Sequence, residues 1–147
     1  MVRSAANLNS AAAVRGVSVD EKNFELEETV SMIWPIGLFA IAALGGVVMA
    51  IMRFSGRELP PMGLAVIHGL FAAAGLVALI LGLVKFGYSI ASIAALIGFV
   101  GAALGGFYLF SLHLKRTALP VSLVLVHGGF AVVSFVILLL GVFVLKP

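Results

Sequence analysis

Four long apolar runs, separated by short polar stretches, dominate the chain. They cover residues 33–54, 62–84, 91–113 and 120–145. Each run exceeds the ~20 residues that an α-helix needs to cross about 30 Å of hydrocarbon. Only helices and closed barrels satisfy their backbone hydrogen bonds inside a bilayer, and none of the runs alternates between polar and apolar residues as barrel strands do. The pattern therefore predicts four transmembrane helices.

The polar stretches between the runs are short, and they read SGRELPP, GYSIA and KRTAL. Short connections make consecutive helices antiparallel neighbours. Trp34 and Pro35 are expected to open the first span, because tryptophan suits the membrane interface and proline is tolerated in a first helical turn. The predicted fold class is an all-α membrane protein, a bundle of four transmembrane helices.

The second half of the chain repeats the first. The segment AALGG at 42–46 recurs at 102–106, and residues 61–82 align with 120–141. Ten positions of that second alignment are identical, namely Pro61, Leu64, His68, Gly69, Phe71, Ala72, Val77, Leu79, Leu81 and Gly82. We interpret the bundle as two tandem parallel-repeat hairpins, 32–86 and 90–146, related by a pseudo-twofold axis along the membrane normal.

Residues 1–31 differ from the rest in composition. The first part is rich in Ala and Ser and carries Arg3 and Arg15, and an acidic stretch follows it. The composition resembles that of an organellar transit peptide, but a polar tail that contacts other membrane subunits is the preferred interpretation. The acidic stretch is expected to form a short surface helix.

Composition places the protein in the bilayer. Hydrophobic residues make up 63% of the chain and charged residues 10%, with a mean hydropathy of +1.25, which is typical of an integral membrane protein. The formal net charge is +3, but several basic residues lie where spans end, so no nucleic-acid partner is expected. We expect a bacterial plasma (inner) membrane, with an organellar inner membrane as the alternative.

Cysteine is absent from the sequence. Disulfides, thiolate metal sites and covalently attached c-type haem all need cysteine, so this chain alone cannot form them. No acidic residue lies within any of the four runs, which disfavours a proton-coupled transporter. The sequence shows no candidate catalytic residues, and an enzyme acting on its own is not expected.

Two histidines stand out because ionisable side chains inside a membrane are costly and are usually functional. His68 and His127 occupy equivalent positions of the two repeats, about 10 Å into helices two and four. The residues at helical spacing from each histidine are mostly small, which predicts that both rings face the bundle interior.

The first interpretation is that the two histidines are axial ligands of one b-type haem between the second and fourth helices, with haem iron as the only metal. Gly69 and Gly128 would leave room for the flat macrocycle. The candidate partners of its propionates are basic residues near the loops: Arg53, Arg57, Lys115 and Arg116. The protein would then be a small subunit of a redox or electron-transfer assembly.

Two alternatives stay open. The histidines could instead bridge helices by hydrogen bonds in a non-catalytic accessory subunit of a larger membrane complex. They could also bind a quinone or carry a proton, because a histidine titrates in the useful range. His113, at the position equivalent to Arg53, is a secondary candidate as a ligand or as a hydrogen-bond donor near His127.

Overall fold

The protein folds into four helices. The computed structural model describes the backbone of residues 5–87 and 89–144. It describes the side chains of residues 23–24, 26–87 and 89–144. Within these residues there is no strand. The helices are α1 (Ala5–Phe54), α2 (Met62–Phe86), α3 (Ile90–Leu114) and α4 (Val121–Phe143).

Each helix contains a segment long and apolar enough to cross a membrane. The predicted all-α fold of four transmembrane helices is therefore confirmed. Parts of two predictions, namely Arg3 in the tail and the end of the fourth run at residue 145, lie outside the described residues.

Helix α1 begins far earlier than the sequence pattern suggested. It runs through Pro35, so the expectation that this proline lies in a first helical turn is wrong, whereas the point at which α1 enters the membrane stays a prediction. Alanine has the highest helix propensity and favours extension of the helix towards residue 5. A proline inside a helix removes one backbone hydrogen bond and clashes with the carbonyl four residues earlier, yet α1 continues through Pro35. The candidate span covers Leu26–Phe54. The helix has no break at residue 31, and the tail's contact with other subunits stays a prediction.

The four helices form a closed ring in chain order. The α1–α2 and α3–α4 contacts are the most extensive, and smaller α1–α4 and α2–α3 contacts complete the ring. The diagonal helices meet only through side chains at the centre. The rings of Phe39 on α1 and Phe99 on α3 stack with centroids 3.8 Å apart and an angle of 5° between their planes. This stack and the residues around it form the middle of the core.

The core is narrow, and most of the apolar surface faces outward. Leu79 and Leu138 are fully buried, whereas Leu44 is 70% exposed and Ile90 91% exposed. An aliphatic surface of this extent is typical of helices that contact a lipid bilayer. Glycine allows the close packing inside, because a Cβ at Gly75 would lie 3.0 Å from the Phe39 ring.

Helices α1 and α3 end in the same type of cap. The Arg57 amide donates to the Met52 carbonyl at 3.1 Å, and the Thr117 amide donates to the Leu112 carbonyl at 3.0 Å. This bond across the last turn, with a left-handed residue before the donor, defines a Schellman motif. The left-handed residue of α1 is Gly56, with φ of 94°, but that of α3 is Arg116, with φ of 54°. The α3 cap therefore carries a backbone strain that the α1 cap avoids.

The two caps make a matched stability test. We expect Arg116→Gly to raise the free energy of unfolding by about 0.5–1 kcal/mol, because glycine adopts a left-handed conformation without the Cβ clash. Gly56→Ala should lower it by about 1 kcal/mol. Reversible unfolding in mixed micelles, followed by circular dichroism, measures both changes. A destabilising Arg116→Gly substitution would show that the arginine side chain matters more than the backbone strain.

Candidate functional site: a pair of inward-facing histidines

His68 lies against the first helix of its own hairpin. Its Nδ1 atom is 2.7 Å from the backbone carbonyl oxygen of Ala42 on α1. The ring fits there because the facing residues of α1 are glycines: a Cβ at Gly46 would lie 3.1 Å from the ring Cε1 atom, and one at Gly45 would lie 3.5 Å from the His68 Cβ atom. The AALGG segment therefore supplies both the hydrogen-bond acceptor and the space.

His127 makes the same contacts in the second hairpin. Its Nδ1 atom is 2.8 Å from the carbonyl oxygen of Ala102 on α3. A Cβ at Gly106 would lie 3.1 Å from the ring Cε1 atom, and one at Gly105 would lie 3.5 Å from the His127 Cβ atom. Two equivalent histidines thus use the two copies of one five-residue segment in the same way.

These contacts determine the tautomer of both rings. A carbonyl oxygen only accepts hydrogen bonds, so the Nδ1 atom of each ring carries the proton and donates it. In a neutral ring the Nε2 atom is then unprotonated and presents its lone pair. Each histidine, in its neutral form, is therefore held with a free lone pair on its Nε2 atom.

The two rings lie next to each other at the centre of the bundle. Their centroids are 6.1 Å apart, and their planes make an angle of 75°. In a neutral ring with Nδ1 protonated, the Nε2 atom can only accept a hydrogen bond. Two such rings therefore cannot form a hydrogen bond between their Nε2 atoms. Unprotonated ring nitrogens of this kind can bind an electrophile, such as a metal ion or a proton.

The site differs in part from the one expected at Gly69 and Gly128. Nothing lies within 4 Å of a Cβ placed at either of these glycines, so both border open space, and their role beside a haem stays a prediction. The residues that do contact the imidazoles are Gly45, Gly46, Gly105 and Gly106. Their position beside the imidazoles was not predicted from the sequence, although the repeated AALGG segment was the signal that could have identified them.

The basic residues named as propionate partners divide into two groups. Arg53 is half-buried, and its Nε atom donates to the Leu119 carbonyl oxygen at 2.7 Å. The other three are exposed near the two loops: Arg57, Lys115 and Arg116. Arg53 is thus the basic residue whose side chain is held in place by a hydrogen bond, and its terminal amino groups stay available for an anion.

His113 is buried, with 6% of its surface exposed. Its ring makes no hydrogen bond to any residue that the structure describes. It lies about two turns along α3 from Gly106, which places it nearer the loops than the histidine pair. It occupies the position equivalent to Arg53, so each half has one nitrogen-bearing side chain at this level.

A bare divalent metal ion has too few ligands here. Across residues 23–87 and 89–144, apart from Glu25, no group of three or more His, Cys, Asp or Glu side chains could hold a metal ion. A haem differs in this respect, because its porphyrin nitrogens supply four ligands and the protein needs to supply only two. Comparison of the chain with protein-family models, curated proteins and solved structures finds no match.

The tautomer is directly testable. With ¹⁵N-histidine labelling in detergent micelles, we expect His68 and His127 to show a protonated Nδ1 and an unprotonated Nε2 in the nuclear magnetic resonance spectrum. His113 serves as the internal comparison, since no carbonyl holds its ring. Resonances of His68 and His127 with the proton on Nε2 would contradict the carbonyl bonds.

Proposed function

We propose that this protein is a small integral membrane subunit that binds one b-type haem between α2 and α4, with His68 and His127 as the axial ligands. One observation carries the proposal. Both rings are turned so that Nδ1 donates to a carbonyl, at 2.7 and 2.8 Å, which leaves the two Nε2 lone pairs free. A histidine that ligates a metal usually donates its other ring N–H in this way.

The spacing of the rings supports the same proposal. Two imidazoles that would hold one iron have to stand close together, because each ligating nitrogen lies about 2 Å from the metal. The rings of His68 and His127 are neighbours, with centroids 6.1 Å apart. When bound, the haem would supply a one-electron redox centre.

The surroundings favour one orientation of the ligand. The stack of Phe39 on Phe99 lies about 10 Å from the histidines, on the side away from the first and third loops. The loop side of the histidines is the side that carries basic residues. Arg53 would hold the propionates there, and its Nε atom already bonds to the Leu119 carbonyl. A half-buried arginine held in this way suits a carboxylate.

Visible spectroscopy tests this assignment. The protein is purified in mild detergent from haem-sufficient cells, and a reduced-minus-oxidised spectrum is recorded. We expect a Soret band with sharp α and β bands, which His68→Ala and His127→Ala each abolish because an axial ligand is lost. The fold of each variant is checked by circular dichroism.

His113→Ala provides the matched control for that experiment, because it removes the third histidine of the chain and should leave the spectrum unchanged. A folded wild-type protein that stays colourless after incubation with haemin would refute the haem. A spectrum that survives both His68→Ala and His127→Ala would refute the ligand pair.

The second candidate is a structural role, and the same two hydrogen bonds favour it. Each joins neighbouring helices, at 2.7 Å between His68 and Ala42 and at 2.8 Å between His127 and Ala102. Hydrogen bonds of this kind between membrane helices contribute about 0.6 kcal/mol on average and up to about 1.7 kcal/mol. In this role the chain is an accessory subunit without a cofactor.

The structural contribution can be measured on haem-free protein. We expect His68→Ala to lower the free energy of unfolding in mixed micelles by about 1 kcal/mol, because both the hydrogen bond and the packing on Gly46 are lost. Leu70→Ala, on the exposed side of the same helix, is the matched control and should have a smaller effect. Equal effects of the two substitutions would show that the histidine contributes no specific bond.

The hairpin organisation, the membrane and the partner subunits are inferred from the sequence and belong to the same proposal. We propose that the bundle consists of two tandem hairpins. The two diagonal contacts, Phe39–Phe99 and His68–His127, support this because each joins residues at equivalent positions. The protein would work with other redox subunits in a bacterial plasma membrane, and a quinone is a possible reaction partner of such an assembly.

A further inference from the structure

A groove lies on the outer surface of the bundle, at the end remote from the histidines. It has a volume of about 480 Å³ and lies between α1 and the end of α2. Its apolar lining includes Leu26, Val30, Trp34 and Phe86. Because it is far from the histidine pair, its role does not depend on the haem.

Two opposite charges line this groove. Glu27 on α1 and Lys85 on α2 are both exposed. No ion pair involves either of them among the described residues. The Lys85 Nζ atom lies 4.7 Å from the centroid of the Phe86 ring, which is an ordinary distance for a cation–π contact. The groove therefore offers one cation and one anion that a ligand can engage separately.

Helix register gives the depth of the Cα atom of each charged residue. Gly46 faces His68, and Met32 faces Gly82, so antiparallel α1 and α2 place Lys85 level with residue 29. The Cα atom of Glu27 is then about 3 Å further from the bilayer centre than that of Lys85, and that of Trp34 is about 7 Å nearer the centre. From the centre outward, the Cα atoms follow the order Trp34, Lys85, Glu27.

We propose that this groove binds the headgroup of a zwitterionic phospholipid. In such a lipid the phosphate is next to the glycerol, and the ammonium group lies beyond it. Lys85 would bind the phosphate and Glu27 the ammonium, as charge-assisted contacts. The acyl chain lies along Val30 and Trp34, where an interfacial tryptophan is typical. An anionic headgroup without an ammonium group fits less well, because it would leave Glu27 unpaired beside the phosphate.

The test uses Trp34, which is the only tryptophan of the chain and lines the groove. Lipids with brominated acyl chains quench a tryptophan that they contact. The full-length protein is reconstituted in vesicles of phosphatidylethanolamine and phosphatidylglycerol, with bromine on one lipid and then on the other. At equal amounts of the two lipids, we expect brominated phosphatidylethanolamine to occupy the site about twofold to fivefold more than brominated phosphatidylglycerol. This preference is the size expected from one exposed charge pair.

Two charge variants separate the contacts of the headgroup. Glu27→Gln should abolish the preference for phosphatidylethanolamine, because the ammonium group loses its partner. Lys85→Gln should leave the preference for phosphatidylethanolamine in place, because the phosphate contact that it removes is common to both lipids. Lys115→Gln, in the connection between α3 and α4, is the matched control and should change neither. An unbrominated sample of each variant checks that Trp34 fluorescence itself is unaltered.

Three outcomes would overturn the proposal. The first is equal or stronger quenching by brominated phosphatidylglycerol in the wild-type protein. The second is a preference that Glu27→Gln leaves intact. The third is a Trp34 that neither lipid quenches, since another segment of protein would then cover the groove. None of these results bears on the haem, which the visible spectrum tests separately.

Discussion

The bonds from the histidine Nδ1 atoms to the carbonyl oxygens of Ala42 and Ala102 determine most of what the bundle can do. In a bilayer a polar ring nitrogen finds no water, so it must find a partner within the protein. The partner chosen here is a helix carbonyl, which is accessible only because glycine replaces a larger residue beside it. One bond therefore sets the close approach of the two helices, the tautomer of the ring and the direction of the free lone pair.

Much of the fold followed from the sequence, because its signals are strong. Runs of more than 20 apolar residues admit few structures other than membrane helices. The start of α1 was missed, because alanine propensity outweighed the polar composition around it and Pro35 proved compatible with a helix interior. A hydrophobicity pattern marks the lipid-soluble part of a helix, but it does not show where the helix begins.

The candidate site was predictable only in part. The repeat singled out His68 and His127, and their contact across the bundle agrees with the inward orientation that small neighbouring residues suggested. The contact with Gly46 and Gly106 was not foreseen, because it depends on how far each helix is rotated about its axis. Periodicity within one helix contains no information on that rotation. Arg53 and His113, at corresponding positions of the sequence repeat, differ in their contacts: Arg53 bonds to a carbonyl, whereas the His113 ring makes no hydrogen bond among the described residues.

The stacked Phe39 and Phe99 rings have an electrical consequence. With centroids 3.8 Å apart, they leave no width for a file of water molecules along the axis of the bundle. A proton or ion that reaches the histidines from the loop side thus has no aqueous exit past the rings towards the far side. At the level of these rings, the axis of the bundle is thus closed to hydrated ions.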